Sequence, residues 1–392
     1  MLNQEVYDKV VAKFEELYGA KPATVSYAPG RIEVLGNHTD YNEGYVFSAA
    51  IDKGTFFAVS PSVDDKVELF ALDMNEKWEG KLADVKKVEA GATWANYPIG
   101  TFAWLFGGKP VDAKTGFKAV FGGNIPLGAG LSSSAALEMA TALALQKVYG
   151  TSFDKTDLAK IGQKAEHTYA GCPCGLLDQA SSMYGKAGAL VKSDFRYNTF
   201  ENVPLGDKVA FMMVKSNAKH ALVDGAYASR RQACEDAAKY FGSVLKGKKV
   251  THLRDVTMAE WVLYRGGLSE TTAKRAVHPI GEDERVLQGA ALLEKGDLSA
   301  FGALMFDSHE SSRNWFENSC EELDAIVDAA KAIPEVYGAR LSGGGFGGSC
   351  CLLVDPTAAE KIAAQISREY KAKFGDEPVC SLIQPSEGAH LV

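Results

Sequence analysis

Apolar side chains at Val6, Val10, Val11, Phe14 and Leu17 recur with a helical period, so residues 3–19 are expected to open the chain as a helix. Two short apolar runs, 23–27 and 31–35, read as strands with Pro29-Gly30 as the break between them. The stretch Gly36-Asn-His-Thr-Asp-Tyr-Asn-Glu-Gly44 is polar, and apolar character returns over 45–51. Runs at 55–60 and 67–71 predict an edge hairpin, 97–106 a helix, and 117–122 a strand. That strand leads into Pro126-Leu-Gly-Ala-Gly-Leu-Ser-Ser-Ser-Ala-Ala-Leu-Glu138, whose Ala- and Leu-rich continuation over 132–145 should be helical. A helix over 157–170 ends at Gly171, where glycine supplies a stop. Strands are expected at 188–191 and 209–216, and the polar link 204–208 between them is the expected domain boundary. Helices follow at 226–241, 257–262, 282–295, 299–312 and 319–332, then a glycine-rich run, 338–348, a strand at 349–354 and a last helix at 356–370.

At 392 residues the chain exceeds the size at which one core stops growing, which predicts two domains. Apolar residues at 46% and charged ones at 23% suit packed cores rather than disorder. A formal net charge of −8 makes nucleic acid a poor partner. The opening Met1-Leu-Asn-Gln-Glu-Val-Tyr lacks a basic segment and an apolar one, and no apolar run approaches ~18 residues. A cytoplasmic protein with no membrane partner is therefore expected. The seven cysteines are scattered and odd in number, as thiols are, and Cys172-Pro-Cys174 has no partner pair at zinc spacing.

The chemistry concentrates in three stretches. Gly128 and Gly130, either side of Ala129, let the backbone turn its N–H groups onto an anion, and a helix beginning just after Leu131 aims its positive end at the same spot. Ser132, Ser133 and Ser134 add capping oxygens and candidate metal ligands. A plain turn before a capped helix would need fewer of these features, so the stretch reads as a phosphate cradle. It is not a Walker A loop, because no lysine lies between Asn124 and Glu138. In the polar loop, turn chemistry accounts for Asn and Asp but not for His38 and Asp40 with Arg31 upstream, which points to a small ligand. Asp178, set among Leu176, Leu177 and Met183, is either a helix cap or a buried acid needing a cation such as Arg31. The glycines from 343 to 348 run straight into an apolar strand, which favours a close backbone approach over a linker.

Together these stretches resemble the galactokinase family, within the kinases that also include homoserine, mevalonate and phosphomevalonate kinases. Pro29-Gly-Arg-Ile-Glu-Val-Leu-Gly-Asn-His-Thr-Asp-Tyr41 looks like the galactokinase signature, Pro126 to Glu138 like the shared phosphate motif, and Gly338 to Gly348 like the third motif. Smaller matches are Trp94-Ala-Asn-Tyr97, Glu166-His167, Cys174-Gly-Leu-Leu-Asp-Gln179 and Leu253-Arg-Asp-Val256. The resemblance implies an α+β protein of two domains, 1–203 holding sugar and nucleotide and 204–392 completing the kinase. The first would be ribosomal-protein-S5-like, the second a ferredoxin-like sheet with helices on one face, and the active site would lie in the cleft between them. The implied reaction moves the γ-phosphate of ATP to the C1 hydroxyl of α-D-galactose, in a monomer.

Carried across, the resemblance makes Asp178 the acceptor of the C1 hydroxyl proton, with Arg31 between it and the phosphate. Ser134 and Glu166 match Mg²⁺ ligands, Trp94 the adenine neighbour, and Gly128 to Ser134 the nucleotide loop. His38, Asp40, Gly175 and Tyr227 match sugar-binding positions, Asp40 at O3 and O4. Two positions depart from the pattern: Glu33 stands where the family has Asn, and Asn37 where it has the Glu that meets the C6 hydroxyl. An Asn there would offer two donors and remove a like charge, so some activity on galacturonate is expected, unless Glu33 restores the missing carboxylate. The rivals are a galacturonate 1-kinase and an inactive sugar sensor. The known sensor of this kind lacks two residues of the phosphate motif, whereas Ser132-Ser-Ser-Ala-Ala136 is complete.

Overall fold

The structure, a computed structural model, describes residues 3–126, 128, 130–218 and 223–392. Helix α1 (Gln4–Tyr18) is capped by the Asn3 side chain and ends on left-handed Gly19. Strands β1 (Thr24–Leu35), β2 (Tyr45–Pro61), β3 (Lys66–Ala71) and β4 (Glu76–Lys81) follow, then α2 (Asn96–Leu105) and β5 (Phe117–Gly123). Next come α3 (Ser133–Tyr149), α4 (Lys155–Ala165), α5 (Leu177–Tyr184), β6 (Ala189–Asp194), β7 (Thr199–Pro204) and β8 (Ala210–Lys215). The rest of the chain forms α6 (Val223–Val244), α7 (Met258–Tyr264), α8 (Glu270–Glu294), α9 (Leu298–Ser311) and α10 (Glu321–Lys331). It closes with β9 (Val336–Ser342), β10 (Ser349–Val354), α11 (Ala359–Phe374), β11 (Val379–Ile383) and β12 (His390–Leu391). Among the described residues no helix is long and apolar enough to cross a membrane.

The expected break at Pro29-Gly30 is not a break. β1 is continuous, and its pairing with β2 slips between Pro29 and Arg31. A proline without an N–H is tolerated at such an irregularity. The slip frees the Arg31 N–H to donate to the Leu131 carbonyl at 3.0 Å, which docks the glycine loop onto β1. Only a glycine at position 30 allows this, since a Cβ would stand 2.4 Å from that carbonyl.

The hairpin expected between 55–60 and 67–71 does not form either. The first sheet runs β12-β1-β2-β5-β3-β4, so β5 lies between those two runs, and β6 pairs with β2 and β7. β3 turns back into β4, whose Glu-Lys-Trp-Glu-Gly-Lys81 is too polar to read as a strand. Period-two alternation then sorts β2: Phe56 and Ala58 pack toward Val10 and Phe14 of α1, while Phe57 and Val59 pack with Ile99, Phe102 and Met139 under the helices of the opposite face.

The second sheet, β11-β8-β10-β9, is antiparallel. Ala210, Met212 and Val214 face Leu323, Ile326 and Ile362 on α10 and α11. The alternate residues Phe211 and Met213 enter a cluster with Ile32 and Phe47 of the first sheet and Phe301 of α9. Each such buried side chain contributes about 1.5–3 kcal/mol, so this shared core fixes one sheet on the other. Helix α8 starts at Glu270, well before the expected 282, because it continues through Pro279. It thereby brings Glu282 and Asp283 against the polar loop.

Candidate active site

A cavity of ≈ 700 Å³ is walled by Arg31 and Glu33 of β1, the polar loop, residues 171–175, α5, α6 and the glycine run at Gly343 and Gly344. It gathers seven of the expected site residues: Arg31, Asn37, His38, Asp40, Gly175, Asp178 and Tyr227. Trp94 lies outside its lining. The indole packs on Phe121 near the end of β5, ring centroids 5.4 Å apart, and its Nε1 donates to Glu76 at 2.7 Å. Ala129, expected in the nucleotide loop, lies outside the described residues.

Asp178 is not a cap. It sits in the first turn of α5 and accepts from Arg31 through Nε to Oδ1 at 2.8 Å and Nη2 to Oδ2 at 2.9 Å. The third guanidinium nitrogen, Nη1, donates to the Gly130 carbonyl at 2.7 Å. One arginine therefore ties the acid to the glycine loop, and its planar fork is what both contacts need at once. Ser132 does not cap α3 through its side chain; its Oγ donates to Asp178 Oδ2 at 2.5 Å. Its backbone is left-handed, φ 55°, which is uncommon for a residue with a side chain and marks a conformation imposed by the surroundings.

The polar loop is held from α8. Glu282 Oε2 accepts the Gly36 and Asn37 N–H groups at 2.8 Å each, and Asp283 Oδ1 accepts the Tyr45 N–H at 2.7 Å. Burial pushes the Glu282 carboxyl up, yet the Arg285 and Arg340 guanidiniums, the His278 ring and the Asn37 N–H together outweigh it, and the net shift is downward. In the loop, His38 is left-handed, φ 61°, and its ring nitrogens face the Tyr41 hydroxyl at 2.7 Å and the Gly344 carbonyl at 3.3 Å. Burial brings its pKa down to about 4, so the ring is neutral near pH 7. Asp40 is pushed up to about 7, first by burial and then by the neighbouring Glu33 carboxylate. Gly175 is required beside it, because a Cβ there would stand 1.7 Å from Asp40 Oδ2.

Asn37 does not offer its amide to a ligand. Nδ2 donates to Glu33 Oε1 and to the Gly343 carbonyl, both at 2.8 Å, and Oδ1 accepts from Asn318 at 3.1 Å. Both amide hydrogens are used within the protein. The expectation that Asn37 greets a C6 group with two free donors is corrected on that geometry. Glu33, whose consequence sequence left unassigned, lines the cavity with Oε1 held by Asn37 and by Arg340 Nη1 at 3.1 Å. Arg340 is wholly buried.

Next to the glycine loop, Ser134 Oγ stands 3.2 Å from Glu166 Oε1. Two oxygens that share a small octahedral cation as adjacent ligands at ~2.1 Å lie ~3 Å apart, so the pair suits one. Gln179 Nε2 holds Glu166 Oε2 at 2.8 Å and Glu138 Oε2 at 2.9 Å, and Cys174 Sγ also donates to Glu166. Burial raises both glutamates' pKa values, with a nearby carboxylate adding to each. Among the described residues no cluster of three or more His, Cys, Asp or Glu is placed for a metal, so the remaining ligands would come from water and phosphate.

Three family models match the chain: the galactokinase galactose-binding signature over residues 12–61, the GHMP kinases N terminal domain over 96–186 and the GHMP kinases C terminal over 290–372. The chain is 38% identical to the galactokinase of Homo sapiens over 386 residues, spanning 97% of this chain and 95% of that relative. It is 39% identical to the galactokinase of Pasteurella multocida (strain Pm70) over 379 residues, spanning 95% and 96%. Its fold is similar to that of Lactococcus lactis galactokinase complexed with galactose, with a TM-score of 0.88 at 30% identity over 97% of this chain and 98% of that one.

Proposed function

The chain belongs to the galactokinase family, and from that membership we propose that it uses ATP to phosphorylate the C1 hydroxyl of α-D-galactose, giving galactose 1-phosphate and ADP. The two-domain GHMP kinase fold and an ATP-dependent sugar kinase activity come with the family. The observation that carries the finer reading is the Arg31 bridge, which joins a carboxylate in the wall of a sugar-sized cavity to the backbone of a glycine loop. A hydroxyl seated against Asp178 would give up its proton there as its oxygen attacks the phosphorus. Arg31 keeps a positive charge where the equatorial phosphate oxygens gather negative charge, and the amides opening α3 face the same place. Proximity and charge neutralisation are the main demands of phosphoryl transfer.

Asp40 and Tyr227, both in the cavity wall, would hold the sugar's hydroxyls, with His38 packed between Tyr41 and Tyr227 as support. Trp94, near the end of the strand that feeds the loop, is the proposed adenine neighbour. Ser134 and Glu166 would hold Mg²⁺, which when bound neutralises phosphate charge. The seven cysteines form no disulfide, which suits the cytoplasm. An ATP-coupled screen over galactose, galacturonate, N-acetylgalactosamine, glucose and mevalonate tests the proposal. Galactose is expected to give the highest kcat/KM, with the product's phosphate on C1 by phosphorus NMR. Turnover of another sugar in preference, or galactose binding without turnover, would overturn it.

Two further expectations concern this site. Glu166→Ala should raise the Mg²⁺ concentration giving half-maximal rate, and Ser134→Ala should raise it less, since a neutral hydroxyl holds the ion more weakly. An unchanged Mg²⁺ dependence in Glu166→Ala would make that carboxylate structural. The second concerns Asp40, which must be ionised to accept from two hydroxyls. Its pKa of about 7 means that kcat/KM for the sugar should rise with pH through that region, and that Asp40→Asn should remove this limb. A limb that persists in Asp40→Asn belongs to another group.

A further inference from the structure

The cradle lacks a cation of its own. No lysine lies between Asn124 and Glu138, and all three nitrogens of the Arg31 guanidinium are engaged by Asp178 and the Gly130 carbonyl. A nucleotide polyphosphate laid on α3's first turn would meet amides and hydroxyls but no unengaged ammonium from this loop. Across the cleft, β8 ends at Lys215, opposite Ser349 of β10 and Val379 of β11. Lys215 shares the parity of Phe211 and Met213, the β8 residues that face the first sheet, so its side chain leaves the strand on that face, one step beyond the apolar core. Its Nζ comes to 3.8 Å from where a Cβ on Gly128 would stand. Among the described residues it forms no ion pair or hydrogen bond through this nitrogen.

Resting on the reading that the nucleotide's phosphates occupy the 128–134 loop, we propose that Lys215 is a nucleotide-binding residue, contributed by the second sheet to the terminal phosphates. An ammonium on a flexible stem suits a phosphate as a point charge, where no fixed fork is required. The contact spans the two sheets, so it would also bind the halves of the cleft together when the nucleotide is present. A lysine that merely solvates a strand end would have no reason to sit over the glycine loop while pairing with no carboxylate among the described residues.

The test compares Lys215→Met, Lys215→Arg and Gly130→Val with wild type. Lys215→Met is expected to raise KM for ATP by roughly tenfold or more, the size of a lost charge-assisted contact, with KM for galactose within about twofold. Lys215→Arg should recover most of the loss. Calorimetry should show weakened ADP binding and unchanged adenosine binding in Lys215→Met, a split that a structural role would not produce. Gly130 has φ 71°, which a β-branched residue resists, so Gly130→Val should weaken ATP whatever Lys215 does. If Gly130→Val weakens ATP and Lys215→Met leaves its KM within twofold, the lysine's role is refuted and the loop stands. If Gly130→Val leaves ATP binding intact, the loop reading itself fails.

Discussion

Asp178→Asn is expected to lower kcat by roughly two to four decades while KM for ATP stays within a few-fold. The substitution keeps the side chain's shape and removes its ability to take a proton. It also sets an NH₂ group among donors: one oxygen could still accept from Arg31 Nε, but the amide nitrogen would then face both Arg31 Nη2 and Ser132 Oγ. Part of the loss would therefore come from a displaced Arg31. Ser132→Ala separates the two effects, because it removes one donor to Asp178 and leaves the carboxylate in place. If Ser132→Ala falls by no more than tenfold and Asp178→Asn by two decades or more, proton acceptance dominates. An Asp178→Asn enzyme retaining more than about a tenth of the wild-type kcat would remove Asp178 from the base's role.

The residues that sequence made legible are those whose polarity is out of place. Asp178 among leucines, His38 and Asp40 in a loop with an arginine upstream, and three hydroxyls after two glycines each demanded a partner or a ligand, and for Asp178 the structure supplies the partner in Arg31. What stayed hidden was long-range or masked by a local rule. Glu282 and Asp283 clamp the polar loop from 246 and 238 residues away, and although a helix was expected to begin at 282, Pro279 hid the turns before it, which only tertiary packing carries through. The continuity of β1 was obscured in the same way by Pro29, whose missing N–H is absorbed by a slipped register. The full locking of Asn37 could not be read, since of its partners only Glu33 is near in the chain. Its partners Gly343 and Asn318 lie 306 and 281 residues away in the chain, and no spacing reports a contact of that kind. The residue type at position 37 suggested spare donors, whereas the fold had already used them.

That geometry removes the ground for the expected activity on galacturonate and makes Glu33→Gln the informative substitution. Glu33, Asp40 and Asp178 all border the cavity, and Glu33 presents its carboxylate with one oxygen held by Asn37 and Arg340. We propose that this carboxylate, in place of the one absent at position 37, faces the sugar's C6 end. A hydroxyl there can donate to Glu33, but a C6 carboxylate would meet it as a like charge. Two such charges ~4 Å apart repel by about 4 kcal/mol at an effective dielectric of about 20, which is roughly a thousandfold in rate. Wild type should therefore favour galactose over galacturonate strongly. Glu33→Gln removes the charge and can still accept from Asn37 and Arg340 through its amide oxygen, so the galacturonate-to-galactose ratio of kcat/KM should rise, by up to about a thousandfold. Arg340 loses its carboxylate neighbour in this variant and the melting temperature should fall, but a ratio measured on one protein with two sugars is insensitive to that loss. Asn37→Glu alone should harm both sugars, since it sets a second carboxylate against Glu33 Oε1 and the Gly343 carbonyl. The double exchange Glu33→Asn with Asn37→Glu should recover activity on galactose, because it restores one carboxylate and one amide to the same corner. A ratio in Glu33→Gln within about threefold of wild type would show that Glu33 does not read this end of the sugar.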